Sequence, residues 1–226
     1  MSKVVVALDP PPRRSPETWV SERVSLLKDL IPAFKVGLPL LLRTGVGKLR
    51  DLFSTVDGLL IADLKLADIG DVMEYVIEEL AESGVNSVIA HAFVGREGAL
   101  DKLVQKSKEV GIKPILLVSM SHPGSVQFID KHLNELVEEA LDLGVWGVVA
   151  PATRTEVIRL VRDLAGDRLL IFSPGVGAQG AEPGSAICAG ADYEIVGRAV
   201  TNSPDPRGAL ETIVSEQVRR VKRCRS

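Results

Sequence analysis

The run Ile61-Ala62-Asp63-Leu64-Lys65-Leu66-Ala67-Asp68-Ile69 sets two carboxylates around one lysine in an otherwise apolar stretch. Asp63 and Lys65 stand two positions apart, so on an extended strand both side chains leave the same face. Asp68 follows three positions later, where the strand must give way to a loop. An Asp-Lys-Asp array of this kind holds an ammonium between two carboxylates, and such a lysine stays protonated and can act as an acid. A lysine meant for Schiff-base chemistry is instead kept neutral by burial or by a nearby cation, so the flanking carboxylates argue against an imine-forming aldolase. Asp9, Lys35 and His91 stand at or inside other apolar runs. Burying a charge costs several kcal/mol unless it is paired, which predicts an ion-pair network among the carboxylates and ammoniums of Asp9, Lys35, Asp63 and Lys65. For Asp9 or Lys35 alone a structural ion pair explains the residue as well as a catalytic role does; together the charged residues favour a functional site.

A second concentration of chemistry lies at Ser173-Pro174-Gly175-Val176-Gly177-Ala178-Gln179-Gly180-Ala181-Glu182-Pro183-Gly184, followed after one more strand by Gly197-Arg198. Four glycines allow backbone N–H groups to close around an anion and allow the segment to move as a lid. A glycine loop by itself is equally a mobile surface loop; its place before the last strand, with an arginine after that strand, is what points to phosphate. Ser119-Met120-Ser121-His122-Pro123-Gly124 offers a hydroxyl and a turn, and standing alone it would be a helix-capping turn. The three histidines lack HxH, HExxH or carboxylate-linked spacing, so no metal site is expected, and His91 reads as a satisfied rim residue.

The elements that must position these groups are legible as alternation. Short apolar, β-branched runs at 4–8, 33–37, 59–64, 87–91, 114–118, 147–150, 169–172 and 193–196 alternate with amphipathic segments such as 16–30, 71–83, 96–110, 134–143, 155–164 and 206–221. Strands so uniformly apolar are buried on both faces, as in a parallel sheet. Eight βα units predict a closed (β/α)8 TIM barrel of the α/β class, with an open doubly wound sheet as the alternative; no GxGxxG follows the first strand. In a barrel the polar residues collect at the strand C-terminal ends, where such folds keep their chemistry and bind phosphate after the seventh and eighth strands.

No linker or composition shift divides the 226 residues, so one domain over 1–226 is expected. The 46% hydrophobic content supplies a large core, and no apolar run approaches the length of a membrane span. A net charge of -3 with few aromatics argues against nucleic acid. The one basic cluster, Arg219, Arg220, Lys222, Arg223 and Arg225, reads as the solvated end of a last helix, with a nucleic-acid tail as the sharper alternative. Cys188 and Cys224 lie far apart with no paired spacing, which predicts free thiols in a reducing cytoplasm.

Taken in order, Ala7-Leu8-Asp9, Lys35-Val36-Gly37, Asp63-Leu64-Lys65-Leu66-Ala67-Asp68-Ile69, Met120-Ser121-His122-Pro123-Gly124, Pro174-Gly175-Val176-Gly177-Ala178-Gln179-Gly180 and Gly197-Arg198 resemble the orotidine 5′-monophosphate (OMP) decarboxylases, particularly the compact archaeal type. The Asp-x-Lys-x-x-Asp-Ile element and the Gly-Val-Gly-Ala-Gln-Gly loop are the specific motifs; the others support them. The resemblance implies a decarboxylase without metal or cofactor that turns OMP into UMP. It implies that Lys65 protonates C6 of the pyrimidine, that Asp63 lies against the departing carboxylate, and that Lys35 and Asp68 complete the charged array. It further implies a homodimer in which Asp68 and Ile69 reach the neighbouring site, although spacing alone equally allows Asp68 to act within its own subunit. Asp9 and Lys35 would bind ribose hydroxyls, Ser121 the pyrimidine edge, and Gln179 and Arg198 the phosphate, with Pro174 and Gly197 beside the ligand.

Two departures stand out. Val72 occupies a position where many relatives carry a ribose-binding threonine, and the Pro10-Pro11-Pro12 run with Arg13 and Arg14 is unusual. The nearest rival is an Mg2+-dependent sugar-phosphate decarboxylase or hexulose-phosphate synthase of the same superfamily, in which a metal-binding glutamate stands in place of Lys35. A lysine there repels the metal. A non-catalytic nucleotide-phosphate sensor is the alternative outside enzymes.

Overall fold

In the computed structural model, which describes residues 2–225, eight parallel strands close into a barrel in the order of the chain. The strands are β1 Val4–Leu8, β2 Ala33–Gly37, β3 Leu59–Leu66, β4 Ser87–His91, β5 Lys113–Leu117, β6 Gly147–Val149, β7 Leu170–Val176 and β8 Tyr193–Val196. The helices are α1 Pro16–Leu27, α2 Leu38–Thr44, α3 Leu49–Leu52, α4 Gly70–Glu82, α5 Asp101–Val110, α6 Leu133–Leu143, α7 Thr155–Ala165, α8 Ser185–Cys188, α9 Arg198–Thr201 and α10 Pro206–Cys224. The predicted closed barrel is therefore the one observed, and the open sheet is excluded by the pairing of β1 with β8.

Period-two alternation sorts the strand residues into two cores. Val5, Ala33, Ile61, Ile89, Ile115, Phe172 and Ile195 fill the lumen, while Val4, Val6, Phe34, Val36, Leu60 and Ala62 face the helix layer. Trp146 and Tyr193 lie at 5.2 Å between ring centroids on either side of Phe172, adding aromatic bulk near the strand starts. The lumen-facing series carries the site: Lys35 continues the face of Ala33, and Asp63 that of Ile61.

Most elements fall within a residue or two of their expected bounds, and the differences have physical causes. The helix expected over 96–110 is interrupted because Gly98 sits at φ +72, so α5 begins at Asp101, whose carboxylate accepts the Gly98 N–H at 3.2 Å. The segment expected over 16–30 ends as α-helix at Leu27 and tightens into a 3-10 turn, Lys28–Leu30. β3 and β7 both run further than their apolar cores suggested, and both carry a register shift at the mouth. On β3 it lies between Asp63 and Leu66, and on β7 between Pro174 and Val176.

The cysteines correct an expectation. Cys188 at the end of α8 and Cys224 at the end of α10 form a disulfide, with Cα atoms 6.0 Å apart. Their separation of 36 residues hides a proximity that exists only once α10 folds back onto the last βα unit. The free thiols, and the argument for a reducing compartment that rested on them, do not stand. Among the described residues no helix is long and apolar enough to cross a membrane.

Candidate active site

Lys35 and Asp63 come together because adjacent parallel strands put their lumen faces side by side. Lys35 Nζ lies 2.9 Å from Asp63 Oδ2, and both side chains are about nine-tenths buried. Lys65 reaches the other carboxylate oxygen, donating from Nζ to Oδ1 at 2.8 Å. The sequence rule of alternation predicts that Asp63 and Lys65 share a face, and they do converge, but not on a regular strand. Lys65 has φ +49, the sole non-glycine residue with positive φ among those described, and it sits inside the β3 register shift. Bulges of this kind re-aim side chains beside functional sites, and a left-handed conformation at a non-glycine residue is sustained only by its surroundings.

The row is thus Lys35–Asp63–Lys65, a carboxylate between two ammoniums. Burial by itself would push the Asp63 carboxyl up; Lys35, then Lys65, oppose this through their charges and hydrogen bonds and hold it below the ordinary carboxylate range. Asp68 does not complete the row within one chain. It is exposed, its Oδ1 accepts the N–H of Ile69 at 2.8 Å, and among the described residues no ion pair joins it to Lys65. His91 also departs from expectation. Its buried Nδ1 has no hydrogen-bond partner within the described chain, and its ring stacks at a tilt on Phe93 with centroids 4.6 Å apart. Burial first, and the Lys65 charge second, lower its pKa.

These groups open into a cavity of about 560 Å3 at the C-terminal ends of the strands. Asp9, Lys35, Asp63, Lys65, Ser121, Pro174, Gln179, Gly197 and Arg198 all line it, with Ile89, Leu117, Val149 and Ile195 supplying an apolar surface. Ile69 and Asp68, the other two predicted site residues, lie outside that lining. The side chains of Asp9, Ser121, Gln179 and Arg198 have no hydrogen-bond or ion-pair partner among the described residues. Four polar side chains facing one cavity without internal partners are groups available to a ligand. The β7 register shift leaves Gly175 unpaired at φ +117, a conformation that L side chains rarely adopt, and turns the glycine-rich segment over the cavity toward Arg198.

Two parts of the site were not legible in the sequence. Arg154, before α7, donates to Ser119 Oγ at 2.8 Å and also to the Met120 carbonyl and to Asp130. Asp130 in turn accepts from Ser119 Oγ at 2.8 Å and Ser125 Oγ at 2.7 Å. This network ties down the turn that carries Ser121; its members lie 24 and 35 residues apart, so no local spacing announces it. The second part is the proline run. Pro10, Pro11 and Pro12 wall the cavity beside Asp9, and Arg43 of α2 donates to the carbonyls of Pro10 at 3.2 Å and Pro11 at 3.0 Å and to that of Arg14. Fixed φ angles and this clamp make the wall stiff. Among the described residues no group of three His, Cys, Asp or Glu side chains gathers as a metal site would require.

Comparison with known proteins shows the family. Residues 2–213 match the model of the "Orotidine 5'-phosphate decarboxylase / HUMPS family". The chain is 46% identical over 216 residues to an orotidine 5'-phosphate decarboxylase of Aeropyrum pernix, covering 94% of this chain and 87% of that protein. It is similar to the crystal structure of orotidine 5'-monophosphate decarboxylase from Metallosphaera sedula, with a TM-score of 0.83 and 44% identity over 97% of this chain and 99% of that one. The Methanocaldococcus jannaschii enzyme, crystallised with the inhibitor BMP, superposes with a TM-score of 0.85 at 32% identity over 96% and 99% of the two chains. Matched along nearly its whole length, this barrel belongs to the orotidine 5'-phosphate decarboxylase / HUMPS family.

Proposed function

We propose that this chain is an OMP decarboxylase, a carboxy-lyase of pyrimidine biosynthesis that releases CO2 from OMP to leave UMP, and that it needs neither metal nor cofactor. The observation that carries the reading is the Lys35–Asp63–Lys65 row in a cavity that the unpartnered side chains of Arg198 and Gln179 also line. A ligand with a reacting ring and a phosphate matches these two sets of groups, and the M. jannaschii relative was crystallised with the inhibitor BMP.

The chemistry requires such a row. When the C6–carboxylate bond breaks, its electron pair remains on C6 in an orbital perpendicular to the ring π system, where resonance cannot spread it. Stabilisation must come from a charge already in place, which the Lys65 ammonium supplies without reorganisation before passing a proton to C6. Asp63, lying against the substrate carboxylate, repels it in the ground state and is relieved as CO2 departs; this contribution ranks below stabilisation of the carbanion. Lys35 holds the second oxygen of Asp63 and, with Asp9, takes the ribose hydroxyls. Ser121 holds the pyrimidine edge, Pro174 and Gly197 line its path, and Gln179 and Arg198 grip the phosphate, whose binding energy closes the glycine-rich segment and assembles the site.

A homodimer completes the reading, with Asp68 and Ile69 entering the partner's site. Support comes from exposed apolar side chains in three consecutive βα units: Leu38 and Leu42, then Ile69, Val72 and Tyr75, then Phe93. Clustered exposed apolar surface of this kind marks an interface. The enzyme works in the cytoplasm on this reading, and intracellular disulfides are known in hyperthermophiles, so the Cys188–Cys224 bond does not oppose it.

The deciding experiment follows the loss of OMP absorbance on adding purified, EDTA-treated protein. Conversion to UMP establishes a metal-free decarboxylase. No conversion by folded protein, with turnover of a sugar phosphate on adding Mg2+, would move the chain to the rival chemistry; tight UMP binding without CO2 release would make it a sensor.

A further inference from the structure

Glu194 is a fully buried carboxylate that the chemistry above does not use. On β8 it faces the helix layer, since its neighbour Ile195 belongs to the lumen. Among the described residues no cation pairs with it. Its Oε2 accepts the Gly184 N–H at 2.8 Å and the Gln217 side-chain amide at 2.9 Å, and its Oε1 accepts the Ala186 N–H at 3.1 Å. A carboxylate taken out of water at this cost is retained for what its acceptors hold.

What they hold is the return arm of the glycine-rich segment. Residues 177–180 are exposed, whereas from Glu182 onward the arm is tied to α10 as well as to Glu194. Arg220 of α10 donates to the Pro183 carbonyl at 2.9 Å and pairs with Glu182 at 2.6 Å, and Cys188 is bonded to Cys224. Gly184 sits at φ +85, and a Cβ there would come within 3.0 Å of Arg220 Cβ and the Gln217 carbonyl, so the arm is also sterically seated against α10. The tip is hydrogen-bonded within the segment, from Gly177 to Ala181 and from Gly180 to Gly177, whereas the base is fixed to β8 and α10, with Glu194 at its centre.

We propose that Glu194 is a positioning residue for phosphate recognition: by fixing Gly184 and Ala186 to β8 it sets where the tip bearing Gln179 meets the ligand phosphate. The proposal rests on the phosphate role given above to that segment. Glu194→Gln keeps the shape but replaces one acceptor oxygen by a donor, which leaves a backbone N–H of the arm without its partner. UMP and uridine differ by the phosphate, so the ratio of their dissociation constants isolates the phosphate contribution from general damage. Glu194→Gln is expected to weaken UMP about tenfold and leave uridine within about twofold, with KM for OMP rising more than kcat falls. Equal weakening of both ligands, or an unchanged ratio, overturns the proposal and leaves the phosphate reading intact. A wild-type protein that binds UMP no better than uridine overturns both. Should Glu194→Gln not fold, Arg220→Ala, which cuts the ties to Pro183 and Glu182 and spares Glu194, must shift the same ratio in the same direction; an unmoved ratio rejects the fixed-base account.

Discussion

Lys65 donates to Asp63 at 2.8 Å across a single intervening residue, and it does so from a left-handed backbone conformation inside a break in the β3 register. Backbone strain of this kind costs of the order of 1–3 kcal/mol and persists where the surroundings enforce it. The strained residue is the one whose ammonium the proposed chemistry requires.

Lys65→Ala should therefore lower turnover of OMP by at least about 10²–10³-fold while UMP binding stays measurable. The substitution has an electrostatic readout that does not depend on activity. Because the Lys65 charge helps depress the His91 pKa, its removal should raise the imidazole titration midpoint seen by NMR, with burial still keeping it below the ordinary value. Near-normal turnover would sink the proton-donor role; an unmoved His91 midpoint would show that the charge is not felt there.

Arg198 lines the cavity with no partner of its own among the described residues, so its guanidinium is available to an anion. Arg198→Ala should weaken UMP by roughly 10–100-fold, the worth of charge-assisted hydrogen bonds to phosphate, and barely change uridine. Calorimetry with both ligands checks this, and unaltered UMP affinity would refute the assignment.

Asp68 stands outside its own chain's charged row, which makes its proposed place in the partner's site open to complementation. Asp68→Ala and Lys65→Ala proteins, each inactive alone, should regain activity when mixed, because a heterodimer has one site with both defects and one with neither. Absence of rescue after proven subunit exchange would count against a shared site.

The disulfide closes a loop with a sequence separation of 36 residues, for which chain entropy predicts a stabilisation of about 3–4 kcal/mol. Reduction, or Cys188→Ser, should lower the midpoint of thermal unfolding by roughly 5–15 °C, since a chain of this size loses a few degrees per kcal/mol. An identical midpoint with and without reductant would show that the bond adds nothing to stability.

The repeated units were legible because strands buried on both faces must be almost wholly apolar and the helices between them must be amphipathic; β1, β2, β4 and β8 fall at their expected bounds. For the same reason Asp9, Lys35, Asp63 and Lys65 were conspicuous: a charge within such a run demands an explanation, and they do line one cavity. Local sequence also marked Gly175, whose position tolerates few other residues, and Arg198 just beyond the last strand.

Side-chain partners obeyed no such local rule. That Asp63 is shared by two lysines, with Asp68 left outside, depends on strand pairing and on the bulge at Lys65. The Arg154–Asp130 network, the Arg43 clamp on the prolines, the cage around Glu194 and the Cys188–Cys224 bond each join residues far apart in the chain. Sequence alone determined the kind of barrel and which residue types stand at its mouth, because burial and periodicity act residue by residue. Only the tertiary structure decided which charges pair and what holds the loops, because hydrogen bonds and ion pairs depend on distances that barrel closure alone establishes.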